Sequence, residues 1–225
     1  VVLGPTASGK TALSLEIASG LGNAEIVNSD SRQLYRHLDI GTAKIQPEEM
    51  QGIPHHLLSV LDPKEKVTVG WYKREAERVI DQILSRGNVP LLVGGSMLYI
   101  SAITDGYVFE GRGMKTRMPV LYDVRSFGVT WPRSELRARI KERTRELFEK
   151  GWIDEVRSLL ARGYTRDDPG LESTGYREIM EALASGGSIN QNSLARDIAR
   201  KTAQYAKRQM TWWRRNPRIT WLQNL

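Results

Sequence analysis

Apolar positions along the chain alternate between a short-run strand pattern and a helical one. Val1-Val2-Leu3 is a continuous apolar run, and Thr11-Ala12-Leu13-Ser14-Leu15-Glu16-Ile17-Ala18 then takes helical spacing. Residues 24–30 return to a short strand whose end, Asn28-Ser29-Asp30, is polar. A helix is expected over 69–86, where Trp71/Tyr72, Ala76, Val79/Ile80 and Ile83/Leu84 recur on one face and Lys73, Glu75, Glu77 and Asp81 stay wet. Gly87 ends it as a C′ glycine does. Residues 91–93 form the next buried strand, Met97-Leu98-Tyr99-Ile100 starts another helix, and 54–63 is a strand-bearing connection. A strand over 122–131, a helix over 134–162 with a break at Gly151, and a last helix over 193–215 complete the pattern. Between 105 and 119 periodicity fails, which reads as a linker. Strand-helix alternation of this kind implies an α/β fold with a doubly wound parallel sheet flanked by helices.

The turn between the first strand and helix carries chemistry. Gly4-Pro5-Thr6-Ala7-Ser8-Gly9-Lys10-Thr11 satisfies every fixed position of the phosphate-binding pattern G-x-x-x-x-G-K-[ST], in the strand-turn-helix setting that the pattern needs. Backbone N–H groups of such a turn converge on an anion, Lys10 adds a point charge, and Thr11 offers a hydroxyl to Mg²⁺. The fold is therefore expected to be P-loop NTPase-like. A nucleotide hydrolase normally follows with an apolar strand ending in a metal-holding Asp. Here the best such strand, Val89-Pro90-Leu91-Leu92-Val93, ends in Gly94-Gly95-Ser96. Asp30 is placed near the phosphate site by topology, because parallel strands end at one crevice.

Length and 40% hydrophobic content allow one sizeable core, in one domain or one domain with an appendage. The chain has no Cys and three His, so no disulfide and no His/Cys metal spacing exist. No apolar run reaches 18 residues and no secretory pattern opens the chain, so no membrane association and a cytoplasmic location are expected. The missing initiator Met suggests a cropped N-terminus. The net charge of +7 is unevenly placed: residues 1–132 and 133–195 each balance, and the excess lies in Arg196, Arg200, Lys201, Lys207, Arg208, Arg214, Arg215 and Arg218 against one acid, Asp197. At 100° per residue Arg196, Arg200, Lys207 and Arg214 share one helical face, with Lys201, Arg208 and Arg215 beside it. Such a face is a polyanion footprint or a solvated surface. On the helix from 134, Arg143 falls within about 20° of Leu136 on the apolar stripe. A charge there meets an anion, pairs with a carboxylate, or snorkels to the edge.

Together these residues resemble a known family. The P-loop, Ser29-Asp30-Ser31-x-Gln33-x-Tyr35, Gly41-Thr42-Ala43-Lys44, Pro54-His55-His56, Gly94-Gly95-Ser96-Met97-Leu98-Tyr99, Gly175-Tyr176-Arg177-Glu178 and Lys207-Arg208-Gln209-x-Thr211-Trp212 stand in the order seen in tRNA dimethylallyltransferases. The resemblance implies transfer of the dimethylallyl group of dimethylallyl diphosphate to N6 of adenosine 37 in the tRNA anticodon loop, with Mg²⁺, by a monomer. Alternatives left open are an isopentenyltransferase acting on free adenine nucleotides, a small-molecule kinase, and an RNA-binding module without activity. By resemblance Asp30 is the general base, Lys10, Ser96 and Arg143 complete the catalytic set, Gly4 to Thr11 hold diphosphate, and Thr11 is the metal residue. The tRNA contacts implied are Asp30, Ser31, Arg32 and Gln33; Glu172, Ser173, Thr174, Gly175, Tyr176 and Arg177; and Lys207, Arg208, Gln209, Met210, Thr211, Trp212, Trp213 and Arg214.

Three departures stand out. Ser96 replaces the family's usual Thr but keeps a hydroxyl. Ala203 stands where Arg is common, at an angle that puts it on the basic face. The family's helical insertion after Phe109, which clasps the anticodon stem-loop, is reduced to residues 110–118. The implied organisation is a core formed by 1–109 and 119–225, ending in basic tRNA-binding helices, with 110–118 as the remnant of a missing or minimal insertion domain.

Overall fold

The computed structural model describes residues 1–110, 113–117, 120–187 and 189–223. Its first apolar run forms β1 (Val2–Leu3), followed by α1 (Lys10–Leu21), β2 (Ala24–Asn28) and the two-residue β3 (His55–His56). Then come α2 (Val69–Ser85), β4 (Val89–Gly94), α3 (Met97–Thr104), β5 (Tyr107–Glu110) and β6 (Gly113–Arg117). The remainder is β7 (Ser126–Thr130), α4 (Arg133–Glu149), α5 (Trp152–Ala161), α6 (Tyr176–Ala184), α7 (Gln191–Trp213) and β8 (Ile219–Gln223).

Six strands form one sheet in the order β3-β2-β4-β1-β7-β8, and every pairing within it is parallel. The period-2 side chains divide the molecule into two layers. Val2, Ile26, Leu91 and Val129 meet Leu13, Leu15 and Ala18 of α1 on one side. Leu3, Val27 and Leu92 meet Tyr72, Ala76, Ile80 and Ile83 of α2, and Ile100 and Ile103 of α3, on the other. Each such side chain contributes about 1.5–3 kcal/mol on burial, so the alternation along the strands fixes which helix lies on which face.

Register then decides where chemistry can happen. Leu3 pairs with Gly94 and with Gly128, and Asn28 pairs with Val93. The C-terminal ends of β1, β2, β4 and β7 therefore lie along one edge, which carries the P-loop, Asp30, Gly94-Gly95-Ser96 and Trp131. Helices α4 and α7 pack over this edge through Leu136, Ile140, Ala199 and Ala206, with Ala7 of the P-loop between them. The His pair lies elsewhere: His56 Nε2 is 2.6 Å from the buried Glu25, which Arg86 and Asn88 also hold.

The break expected at Gly151 in the helix over 134–162 is present, where Gly151 takes φ 95° between α4 and α5. Other expectations are adjusted. The stretch read as patternless pairs as an antiparallel ribbon over β5 and β6, with Tyr107 opposite Arg117; residues 111, 112, 118 and 119 lie outside the described residues. Both α6 and the strand β8 were not anticipated. Gly128 on β7 makes room for the second of these, since a Cβ there would lie 2.6 Å from the Trp221 ring.

Candidate active site

The P-loop keeps its shape through backbone torsions that only particular residues tolerate. Gly9 sits at φ 96° and Ala7, without a glycine's freedom, at φ 60°. At Gly4 a Cβ would approach Val129 O to 2.6 Å, so the loop can rest on β7 only with glycine there. The first-turn N–H groups of α1 have no intrahelical acceptor and face the crevice. Ser8 Oγ is fully buried and has no hydrogen-bond partner among the described residues. Lys10 donates to Pro5 O at 2.7 Å. Burial lowers its ammonium to about 8, with Arg143 adding to the effect and Asp30 opposing it.

Trp131 and Arg139, which the sequence patterns did not single out, and Gln209, which the resemblance grouped with the tRNA contacts, brace this loop. Trp131 Nε1 donates to Ser8 O at 2.9 Å, and Arg139 Nε donates to Ala7 O at 3.0 Å while its guanidinium lies 4.2 Å from the centre of the Trp131 ring. From the opposite side, Gln209 Oε1 accepts from Thr6 N at 3.1 Å and Gln209 Nε2 donates to Gly95 O at 2.7 Å. Gln209 is 2% exposed, so this residue of the basic helix points into the site.

Asp30 stands two residues beyond β2. Asn28 Oδ1 accepts the Asp30 N–H at 2.9 Å, and Asn28 Nδ2 donates to Asp30 O and to Leu57 O. The Asp30 carboxylate accepts from Arg32 N at 2.9 Å. Ser96 Oγ accepts from Ser31 N at 2.8 Å, so its hydroxyl holds the Asp30 turn one residue downstream of the carboxylate. Gly94 is required beside it, because a Cβ would come within 2.2 Å of the Ser29 carbonyl. Arg32 and Gln33 are engaged within the chain: Arg32 donates to Pro169 O at 2.9 Å, and Gln33 to Thr42 O at 3.1 Å and Ala43 O at 3.3 Å.

Arg143 answers the question its helical angle raised. It has no salt bridge among the described residues, and its closest polar contact is Thr42 O at 3.5 Å. Burial pulls the guanidinium below its ordinary value, while Asp30 and Glu146 counter that pull from a distance. Two cavities meet at Lys10, Thr11 and Arg143. One, of about 790 Å³, opens between the P-loop and the Arg139 side of α4. The other, of about 750 Å³, runs past Asp30, Gln33 and Thr42 to Tyr205 and Arg208 of α7. A concentrated positive charge is thus reached from two sides, with Glu146 on α4 lining both cavities and Asp30 lining the second.

On α7 and in the turn just past its end, Arg196, Lys207, Arg208, Arg214 and Arg215 are exposed and have no carboxylate partner among the described residues, whereas Arg200 pairs with Asp197 and Lys201 with Glu178. Glu172 and Arg177 are exposed and pair with each other at 3.1 Å. Ser173 and Thr174 line the second cavity, and Gly175 N donates to Glu178 Oε2. Tyr176 and Trp213, grouped with the tRNA contacts, are 0% and 3% exposed and belong to the core. Met210 is half-buried, Thr211 Oγ1 donates back to Lys207 O, and the exposed Trp212 reaches Ser101 Oγ at 3.3 Å. Ala203 is corrected: it is not on the open basic face but packs into the α4–α7 seam with Leu136 and Ile140.

No cluster of three or more His, Cys, Asp or Glu among the described residues could hold a metal. Thr11 is exposed and lines both cavities, and the buried Ser8 Oγ of the same loop is without a partner among the described residues. These residues fit a cation that shares its coordination with bound phosphate oxygens rather than one caged by protein. No described helix is long and apolar enough to cross a membrane.

Comparisons with known proteins agree with this geometry. The chain is 36% identical to a tRNA dimethylallyltransferase of Symbiobacterium thermophilum, over 99% of this chain and 88% of that protein. It is 33% identical to one from Carboxydothermus hydrogenoformans, over 98% and 90%. The fold matches the crystal structure of the full-length tRNA isopentenylpyrophosphate transferase of Bacillus halodurans with a TM-score of 0.89 at 30% identity, covering 99% of this chain and 88% of that one. The alignment with the first relative spans 284 positions against 225 residues here, so that relative carries positions this chain lacks. The family model for IPP transferase matches in two pieces, residues 33–120 and 110–216, which meet at the β5–β6 ribbon. With most of its length matched in this way, the chain belongs to the IPP transferase family.

Proposed function

We propose that this chain transfers the dimethylallyl group from dimethylallyl diphosphate to N6 of adenosine 37 in tRNA, releasing diphosphate. The observation that carries the reading is the convergence of Lys10, Arg143 and Asp30 where two cavities meet. An isoprenoid diphosphate and an adenine can then approach one another from opposite sides. The exocyclic amine attacks the first isoprenoid carbon, the C–O bond to diphosphate breaks, and the amine proton passes to the Asp30 carboxylate. Negative charge grows on the leaving diphosphate. Lys10, Arg143 and the N–H groups of the P-loop border the cavities where that charge grows, and they stabilise the transition state more than the ground state.

Mg²⁺, held by the Thr11 hydroxyl together with diphosphate oxygens, supplies further charge neutralisation when bound. Adenosine 37 must leave the anticodon stack to reach the second cavity, which is a base-flipping step. The exposed cations of α7 border that cavity at Arg208 and supply phosphate contacts that position the tRNA without selecting sequence. A monomer in the cytoplasm is the working form.

The test is mass spectrometry of nucleosides digested from unmodified tRNA after incubation with the chain, dimethylallyl diphosphate and Mg²⁺. Gain of one dimethylallyl group at adenosine 37 is expected. ATP consumption without such a gain would replace the reading with a kinase.

A further inference from the structure

Helix α5 carries a carboxylate that takes four hydrogen bonds, three of them from one backbone segment beside the site. Glu155 Oε2 accepts from Asp39 N at 2.8 Å and Ile40 N at 2.6 Å, and Glu155 Oε1 from Gly41 N at 3.1 Å and the Tyr176 hydroxyl at 2.6 Å. Three successive backbone N–H groups on one carboxylate leave the 39–44 segment little freedom. The segment closes on itself through Ala43 N to Ile40 O and Lys44 N to Asp39 O. One turn earlier on the same face of α5, Trp152 is inserted between Gly41 and Gly175, where a Cβ on either glycine would lie 2.0 Å from its ring. Two of the glycine motifs are therefore glycine because of one tryptophan, and both are tied to one glutamate.

The consequence appears at the far side of the segment. With its N–H groups drawn toward α5, the segment turns the Thr42 and Ala43 carbonyls toward the cavity. There they receive Gln33 Nε2 at 3.1 and 3.3 Å, and Thr42 O lies 3.5 Å from the Arg143 guanidinium. Arg143 makes no ion pair among the described residues, and this carbonyl is its one hydrogen-bond acceptor there.

We propose that Glu155 is a positioning residue for the transfer: through the 39–44 segment it sets the Thr42 carbonyl, and through that carbonyl it aims Arg143 at the leaving diphosphate. The inference rests on the proposed diphosphate chemistry of the site, but it can be read without turnover. Binding of inorganic diphosphate is measured by calorimetry for the unchanged protein, Glu155→Gln, Arg143→Gln and the double variant. Glutamine keeps one acceptor oxygen and reverses the other site, so the segment loosens without losing every bond. Glu155→Gln is expected to weaken diphosphate binding about tenfold in the parent and less than twofold when Arg143 is already Gln, the non-additivity expected of residues acting in series. Equal losses in both backgrounds, or no loss in the parent, would overturn the proposal. If Glu155→Gln does not fold, Tyr176→Phe, which removes one of the four donors, is put through the same cycle and must show the same dependence on Arg143. Diphosphate binding with this coupling, but no transfer by the unchanged protein, would support the positioning role and sink the prenyl-transfer reading instead.

Discussion

Gln209 ties Thr6 of the P-loop to the helix that carries most of the chain's excess positive charge, by an N–H···O bond of 3.1 Å made while its amide donates to Gly95 O at 2.7 Å. Three segments distant in sequence thus share one buried side chain: the phosphate loop, the end of β4, and α7. An amide suits this place because it offers an acceptor and a donor at once, and Gly95 leaves the space that it fills, since a Cβ there would lie 2.7 Å from Gln209 Nε2.

Replacing Gln209 with Ala strands the Thr6 N–H and the Gly95 carbonyl at about 1–3 kcal/mol for each buried group left unpaired. A lowered thermal midpoint is expected, with diphosphate affinity reduced on the order of tenfold because the loop loses its outer anchor. Gln209→Glu keeps the acceptor for Thr6 but not the donor for Gly95, and should fall between the parent and the alanine variant. A drop in midpoint with unchanged diphosphate affinity would show that Gln209 serves folding alone.

Gln209 also marks where reading the sequence stops. The P-loop was legible because its chemistry is local: the four fixed positions lie between Gly4 and Thr11, and the flanking strand and helix adjoin them directly. Asp30 followed from topology, as parallel strands must end at one edge. Arg143 was visible as a charge on an apolar stripe, although only the structure shows that no carboxylate among the described residues forms an ion pair with it. Helical angles, by contrast, order the faces of α7 but do not say which face is packed. Gln209 lies about 140° from Arg196, on the buried side, and Ala203 lies at the seam with α4. Glu155 reads locally as an acidic residue in the first turn of α5, favourable to the helix dipole. Its partners at Asp39, Ile40 and Gly41 are more than 100 residues away. The run Ile219-Thr220-Trp221-Leu222 had strand composition, but its place depends on a pairing with β7 that no local pattern announces.

The role of Asp30 is best tested by Asn rather than Ala. The Asp30 carboxylate accepts the Arg32 N–H, and the turn is held besides by Asn28 and Ser96. Asparagine keeps an acceptor for Arg32 while removing the carboxylate's basicity together with its charge. Transfer is expected to fall by about 10²–10⁴-fold, the usual worth of a general base, with diphosphate and tRNA binding within about twofold of the parent. Loss of all three activities would make Asp30 a structural residue.

Lys10 makes the site sensitive to pH on its alkaline side. Burial and the neighbouring Arg143 hold its ammonium at about 8 in the free protein, so the charged form declines as pH rises through that value. Bound diphosphate favours the charged form and raises the pKa again. Binding near pH 8–9 is therefore accompanied by proton uptake, and affinity falls above pH 8. Calorimetry in buffers of different ionisation enthalpy measures the uptake, and a Lys10→Met variant, which retains diphosphate's own titration, sets the baseline. Equal uptake in the two proteins would mean that Lys10 is already charged before diphosphate arrives.

The unpaired cations of α7 separate tRNA affinity from chemistry. Arg200 and Lys201 already have carboxylate partners, whereas Lys207 and Arg214 have none among the described residues and stand exposed. A phosphate contact releases counterions and steepens the dependence of affinity on salt by about 0.7–0.9 in the logarithmic slope. Lys207→Ala and Arg214→Ala are each expected to reduce that slope by about one contact's share and to weaken tRNA binding uniformly across sequences. Arg200→Ala, which breaks an existing surface pair, should change it less. Neither Lys207→Ala nor Arg214→Ala should alter the transfer rate at saturating tRNA, because both side chains lie outside the residues lining the cavity around Lys10 and Asp30. A rate lowered at saturation with an unchanged salt slope would place these cations in the chemistry instead of in docking, and the division of labour between α7 and the P-loop edge would fail.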